Sequence, residues 1–220
     1  MALLAGGRAY AACAALIALL AAAPAAYGAQ ASAVEVPSPF GEPNEGVTFS
    51  EFHYQAGTGE LNSVELHTDT AIVRLADGGA LVDAGSNCKS LAPNAVECYV
   101  PTCAFQPCFK FPYLVAVIAD LGDGDDRLAP AAPRPCAITC PIDRAEAALR
   151  VKGGPGNDTL RGGSGGPDFY DDLSGGPGND TIVQGDGNLT VSCGPGYDTV
   201  VVDPNTPVPA DCERVLRRAT

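Results

Sequence analysis

In the C-terminal half of the chain, apolar residues recur at fixed intervals. Ile182, Val191 and Val200 are nine residues apart, each directly after a threonine. The blocks 175–183, 184–192 and 193–201 follow without a gap and share the pattern Gly-Gly-x-Gly-x-Asp-x-apolar-x. A further copy, GGPGNDTLR, begins at Gly153 and is separated from the rest by the disturbed stretch GGSGGPDFYDDLS. So short a period predicts a solenoid. Glycine allows positive φ, so six residues can make a tight curved turn. Thr159-Leu160-Arg161, Thr181-Ile182-Val183 and Thr199-Val200-Val201 then predict short strands, each with one inward apolar side chain.

The register adds an asymmetry. If two nine-residue blocks make one coil, turns on one edge recur every 18 residues, as Gly175 and Cys193 do. Gly153 and Gly175 are 22 apart, and the four extra residues fall in the disturbed stretch. Leu121-Gly122-Asp123-Gly124-Asp125-Asp126 is another copy, and the surplus between it and Gly153 falls in the Cys136–Cys140 loop. The spacing predicts one regular edge carrying Asp126, Asp158, Asp180 and Asp198. The other edge takes the insertions and has Leu189 where an Asp is expected.

Upstream, residues 47–120 are strand-like. Val64, Val73 and Val82 are nine apart, which fits either worn repeats or a β-meander. The stretch Tyr54–Val64 looks like a degenerate turn, with Asn62 near the Asp position. Segments 96–100 and 114–118 supply further strands. The loop Pro101–Pro112, with Phe105, Phe109 and Phe111, fits a disulfide-pinned cap over a solenoid end, or a partner-binding site. The expected fold is all-β: a parallel β-roll or β-solenoid with Gly-Asp turns, preceded by a β-rich, disulfide-pinned N-terminal part.

Inward carbonyls and a carboxylate at the sixth position are the chemistry of a hard cation, for which Ca²⁺ takes about 6–8 oxygen ligands. GGPGNDTLR and GGPGNDTIV resemble the hemolysin-type (RTX) calcium-binding nonapeptide. The ending CGPGYDTVVVDPNTPVPADCERV is similar to the close of secreted actinobacterial-type calcium-binding repeat proteins. The resemblance is strong over about 153–213 and partial back to about residue 54. It implies a parallel β-roll with Ca²⁺ between turns, held by Asp126, Asp158, Asp180 and Asp198. Gly154, Gly156, Asn157, Gly176, Gly178 and Asn179 would complete the turns as ligands. The chain departs from that family in having few intact repeats and no attached protease, lipase or toxin domain.

Residues 1–31 carry one charge, Arg8, an apolar run from Ala11 to Ala23, and Ala29-Gln30-Ala31 as a small-x-small cleavage site. They are expected to be a cleaved export signal, leaving no integral membrane span. Loss of Arg8 leaves 12 basic against 26 acidic residues, a net charge of −14. That balance disfavours nucleic acid and anionic membranes and attracts cations. Residues 32–46 read as a linker or mobile arm, 121–203 as calcium-binding repeats with a Cys loop at 130–147, and 204–220 as a tail.

Without Cys13 of the leader, eight cysteines remain, an even count that suits an exported, disulfide-bonded chain. Local pairing gives Cys88–Cys98, Cys103–Cys108, Cys136–Cys140 and Cys193–Cys212. The middle four can also pair across loops, or form a zinc site. The last pair would tie the tail back onto the repeats.

Catalytic signals are poor. Gly162-Gly163-Ser164-Gly165-Gly166 matches G-x-S-x-G, but both histidines, His53 and His67, precede it and glycine turns surround it. Gly122–Asp126 lacks the distal Glu of an EF-hand. The expectation is a secreted, non-enzymatic protein with Ca²⁺ as its partner. The alternative is a cell-surface adhesion or envelope protein that uses the roll as a rigid scaffold.

Overall fold

The computed structural model describes residues 28–36, 47–68, 72–99, 111–130, 147–163, 170–185 and 188–219. Those residues are all-β, with no helix. In chain order the strands are β1 (Ala29–Val36), β2 (Val47–Gln55), β3 (Ser63–Thr68), β4 (Ile72–Asp77), β5 (Val82–Ala84), β6 (Cys88–Ala92), β7 (Ala95–Tyr99) and β8 (Phe111–Asp120). They continue with β9 (Arg127–Pro130), β10 (Ala148–Lys152), β11 (Thr159–Arg161), β12 (Tyr170–Ser174), β13 (Thr181–Val183), β14 (Asn188–Ser192), β15 (Thr199–Val202) and β16 (Arg214–Arg217).

Two mixed sheets result. A seven-stranded sheet runs β14-β12-β10-β8-β2-β1-β5, and a nine-stranded sheet runs β16-β15-β13-β11-β9-β3-β4-β7-β6. From β8 to β15 successive strands alternate between the sheets, and every pairing among them is parallel. The N-terminal ends differ: β1 pairs antiparallel with β2, and β3, β4, β7 and β6 form an antiparallel meander. The sheets are therefore mixed rather than those of a simple roll.

Two registered rows of apolar residues run through the core. Val64, Leu128, Leu160, Ile182 and Val200 are in register across the nine-stranded sheet, and all are buried. Tyr54, Ala119, Val151, Leu173 and Val191 face them from the other sheet. Burial of each such side chain contributes about 1.5–3 kcal/mol for the larger ones, and only the stack as a whole excludes water from both sides.

The two readings of the upstream segment each hold for part of it. The spacing of Val64, Val73 and Val82 is not a coil repeat, because β3 and β4 form an antiparallel pair and β5 lies in the other sheet. The meander accounts for it. Yet β2 and β3 do pair in parallel with β8 and β9, so the turn between them stacks on the repeats. Strand β1 spans the boundary at residues 31 and 32 where the leader and linker were expected to meet. Ala29, Ala31 and Ala33 are buried, and Ala29–Ala31 provide the whole pairing with β5. Small residues at every second place serve a cleavage site and a tightly packed strand equally well.

Disulfides join Cys88 to Cys98 and Cys193 to Cys212, as the local pairing predicts. Cys103, Cys108, Cys136 and Cys140, with residues 101–110 of the Phe-rich loop and Ser164, lie outside the described residues, while Phe111 and Pro112 open strand β8 rather than ending a loop.

Candidate metal site at the stacked turns

The turns 121–126, 153–158, 175–180 and 193–198 all lead from the seven-stranded sheet to the nine-stranded one, and the turn after β2 precedes them. The glycine at the second place of each turn holds positive φ, as at Gly154 (106°) and Gly176 (120°), where a side chain is strained. Contact between turns is closer still. A Cβ on Gly154 would lie 1.8 Å from Gly122 O, and one on Gly178 would lie 1.6 Å from Gly156 O. The turns thus stack backbone on backbone. Gly154 N–H donates to Gly175 O (2.9 Å), Gly156 to Pro177 O (2.9 Å), Gly176 to Cys193 O (3.0 Å) and Gly178 to Pro195 O (2.9 Å).

The sixth residues form a column inside this stack. Asp126, Asp158, Asp180 and Asp198 are at most 2 % exposed. Each backbone N–H donates to the carboxylate one turn on: Asp126 to Asp158 Oδ1 (2.9 Å), Asp158 to Asp180 Oδ1 (2.8 Å) and Asp180 to Asp198 Oδ1 (2.8 Å). Asn62 begins the column, donating its N–H to Asp126 Oδ1 (2.7 Å), and Glu213 ends it, accepting from Asp198 N–H through Oε2 (2.8 Å).

The second oxygen of every Asp in the column is buried without a hydrogen-bond partner: Oδ2 of Asp126, Asp158, Asp180 and Asp198. A buried carboxylate left half-satisfied is costly unless charge or proton compensates it. Burial, reinforced by the neighbouring carboxylates, pushes the pKa of Asp158 up to about 7. Burial raises Asp126 and Asp180 in the same direction, against the hydrogen bonds that lower them.

Asn157 and Asn179 form a separate, exposed ladder. Asn157 Oδ1 accepts from Asn179 N–H (2.9 Å), and Asn179 Oδ1 from Tyr197 N–H (2.8 Å). Their side-chain oxygens are therefore used between turns on the solvent side. Gly154, Gly156, Gly176 and Gly178 enter through their backbone. Among the described residues, no three or more His, Cys, Asp or Glu side chains group as a metal cage. Each level of the column offers one carboxylate, and backbone carbonyls must supply the rest. His53 and His67 stand apart, each beside its own strand's glutamate, Glu51 at 3.2 Å and Glu65 at 3.6 Å.

Four acidic residues escaped sequence reasoning. Asp171 occupies the sixth place on the opposite edge, 18 residues before Leu189, and it is buried among apolar neighbours. Its two oxygens accept from Leu149 N–H (3.1 Å) and Gly163 N–H (2.8 Å). Counting one coil back from Leu189 would have found it. Asp77, fully buried, accepts the Tyr54 O–H (2.6 Å), and the same hydroxyl oxygen lies 2.9 Å from Asn62 Oδ1. Burial, then the bond to Asp77, pushes the Tyr54 pKa up, so the phenol stays a donor. Asp211 and Glu213 come from the tail, which Cys212 fastens to Cys193.

No protein-family model, no curated protein and no solved structure matches the chain. The functional reading therefore rests on the column itself. Its donor set, buried carboxylate oxygen beside carbonyl oxygen, fits a hard cation and offers nothing to a soft one.

Proposed function

We propose that this is a secreted, non-enzymatic calcium-binding protein whose Asp-bearing glycine turns take Ca²⁺ between stacked coils and are folded and stiffened by it. The observation that carries this reading is the set of four buried Asp Oδ2 atoms without a partner, one per turn, in a single column. A divalent cation between turns supplies a partner to such oxygens and removes the repulsion between successive carboxylates, without one ion being required at each of the four. Asp158 and Asp180 would hold it with neighbouring turn carbonyls. The alternation of parallel strands from β8 to β15 supports reading this half as the β-roll that the nonapeptide resemblance implies.

Export fits the same picture. Two disulfides suit an oxidising compartment. Among the described residues no helix is long and apolar enough to cross a membrane. Extracellular calcium modules work at roughly 10⁻⁴–10⁻³ M. At ten times the dissociation constant each independent site adds only about 1.4 kcal/mol, so the cation finishes a fold that the core and disulfides have begun.

The test is the thermal midpoint of the disulfide-intact protein in chelator and across a calcium titration. The expected result is a saturable rise of roughly 5 °C or more, on the scale that a few kcal/mol gives a domain of this size, lost in Asp158→Asn/Asp180→Asn. An unchanged midpoint at millimolar calcium would sink the proposal.

A further inference from the structure

The four levels of the Asp column are not equivalent. Two turns open on glycine, Gly153 and Gly175, and neither has a side chain at that place. The other two open on Leu121, which is fully buried, and on Cys193, which is committed to the bond with Cys212. The space left by the missing side chain borders the orphaned oxygen. A Cβ on Gly153 would lie 2.2 Å from Asp158 Oδ2 and 2.6 Å from Gly175 O. A Cβ on Gly175 would lie 2.2 Å from Asp180 Oδ2 and 2.7 Å from Cys193 O. At both levels a carboxylate oxygen and the next turn's first carbonyl border one opening, acceptor beside acceptor. At Leu121 and Cys193 a real Cβ fills that place.

The chain contains its own control. At the first level the sixth residue is Asn62, and its Nδ2 donates to Leu121 O (2.9 Å), the first carbonyl of the next turn. An N–H stands there between the same two groups that face each other as bare acceptors at Asp158 and Asp180. The far end is closed by the chain as well. Gly194 N–H donates to Asp211 Oδ2 (3.3 Å), where Gly154 and Gly176 use the carbonyl of a following turn. Glu213 likewise replaces the following Asp.

We propose that the cations bind at the two inner levels only, those of Asp158 and Asp180, and that Asn62, Leu121, Cys193 and the Asp211–Glu213 tail close the column at its ends without metal. This rests on reading the column as a calcium site, and it fixes which carboxylates carry that role. Asp126 and Asp198 are then positioning residues: their Oδ1 atoms anchor the N–H groups of Asn62 and Asp180.

Calcium chloride titrated calorimetrically into the disulfide-intact, calcium-stripped protein reads the stoichiometry. Two ions per chain are expected. Asp158→Asn and Asp180→Asn each remove one, while Asp126→Asn and Asp198→Asn leave two. Gly175→Ala, where φ is not positive but the Cβ presses on Asp180 Oδ2 and Cys193 O, fills the opening and removes the Asp180 site. Circular dichroism of each variant in chelator, matched to the parent, separates a lost site from a lost fold. Three or four ions, or a site lost in Asp198→Asn, overturn the inference and leave calcium binding standing. No uptake at millimolar calcium overturns both.

Discussion

Asp171 and Asp158 are the same residue type at the same place in a turn, on opposite edges of the molecule, and their surroundings treat them differently. Both are buried. Asp171 has both oxygens occupied by backbone N–H groups, from Leu149 and Gly163. Asp158 has one oxygen on the Asp126 N–H and the other on nothing. The irregular edge has absorbed insertions and solved its buried charge within the chain. The regular edge has kept identical glycine turns in contact, and identical stacked turns leave the same oxygen unsatisfied at every level. Repetition creates the vacancy in hydrogen bonding, and irregularity removes it.

The largest break in this comparison comes from the glycine stack. Gly178→Ala on the regular edge places a Cβ 1.6 Å from Gly156 O at φ 153°. Neither the backbone carbonyl nor the angle can yield cheaply, so the cost should exceed about 3 kcal/mol. Denaturant unfolding should show it with or without calcium.

The next test exchanges oxygen for amide on each edge. Asp171→Asn sets an NH₂ against an N–H donor and should cost about 1–3 kcal/mol, equally in chelator and in calcium. Asp158→Asn should behave in the opposite way. Its amide can donate to the next turn's carbonyl, as Asn62 does, so the midpoint in chelator should rise while the calcium-induced gain shrinks. Equal responses of the two variants to calcium would show that the edges do not differ in the way described.

Much of this was legible because a repeat places its own residues. The nine-residue spacing gave the turns, the strands and the column, and Asn62 was visible as the worn first member. What stayed hidden was whatever lies outside the period. Asp171 follows an insertion that shifts the frame. The tail that supplies Asp211 and Glu213 has no glycine pattern, and only its disulfide reveals that it mimics a turn. Strand β1 hid because alternating alanines have two meanings, and the meander because its valines happened to keep the repeat's spacing.

Protons offer a smaller and reversible test. The folded-state pKa of Asp158, raised to about 7, lies above its ordinary value of 3.8. Folding without metal therefore favours the protonated carboxyl. Its contribution is fully present below the unfolded value and is lost as pH rises through about 7. In chelator stability should fall as pH rises from about 4 to about 7, by at most about 1.4 kcal/mol per pH unit for each such group, and level off above that. In saturating calcium, which takes the ionised carboxylate, the fall should flatten or reverse. Asp171 is also raised by burial, against the bound N–H groups that lower it, so Asp171→Asn should remove its own part of the fall in chelator and leave the response to calcium unchanged.

The smallest effect belongs to a glycine that looks the same in sequence. Gly163 lies on the irregular edge, its φ is not positive, and the nearest atom to an added Cβ is Asp171 Oδ2 at 3.9 Å. Gly163→Ala keeps the N–H that Asp171 needs and meets no backbone, so stability should change by no more than about 0.5 kcal/mol. Set beside Gly178→Ala, it separates two roles that the run of glycines conceals. Gly178 is required because the backbone of another turn lies where its Cβ would be. At Gly163 no described atom comes closer than 3.9 Å, although Gly162 and Gly185 on the same edge do meet backbone, at 2.9 Å and 1.7 Å. A large loss in Gly163→Ala would mean that this position is packed as tightly as its two neighbours and as Gly178.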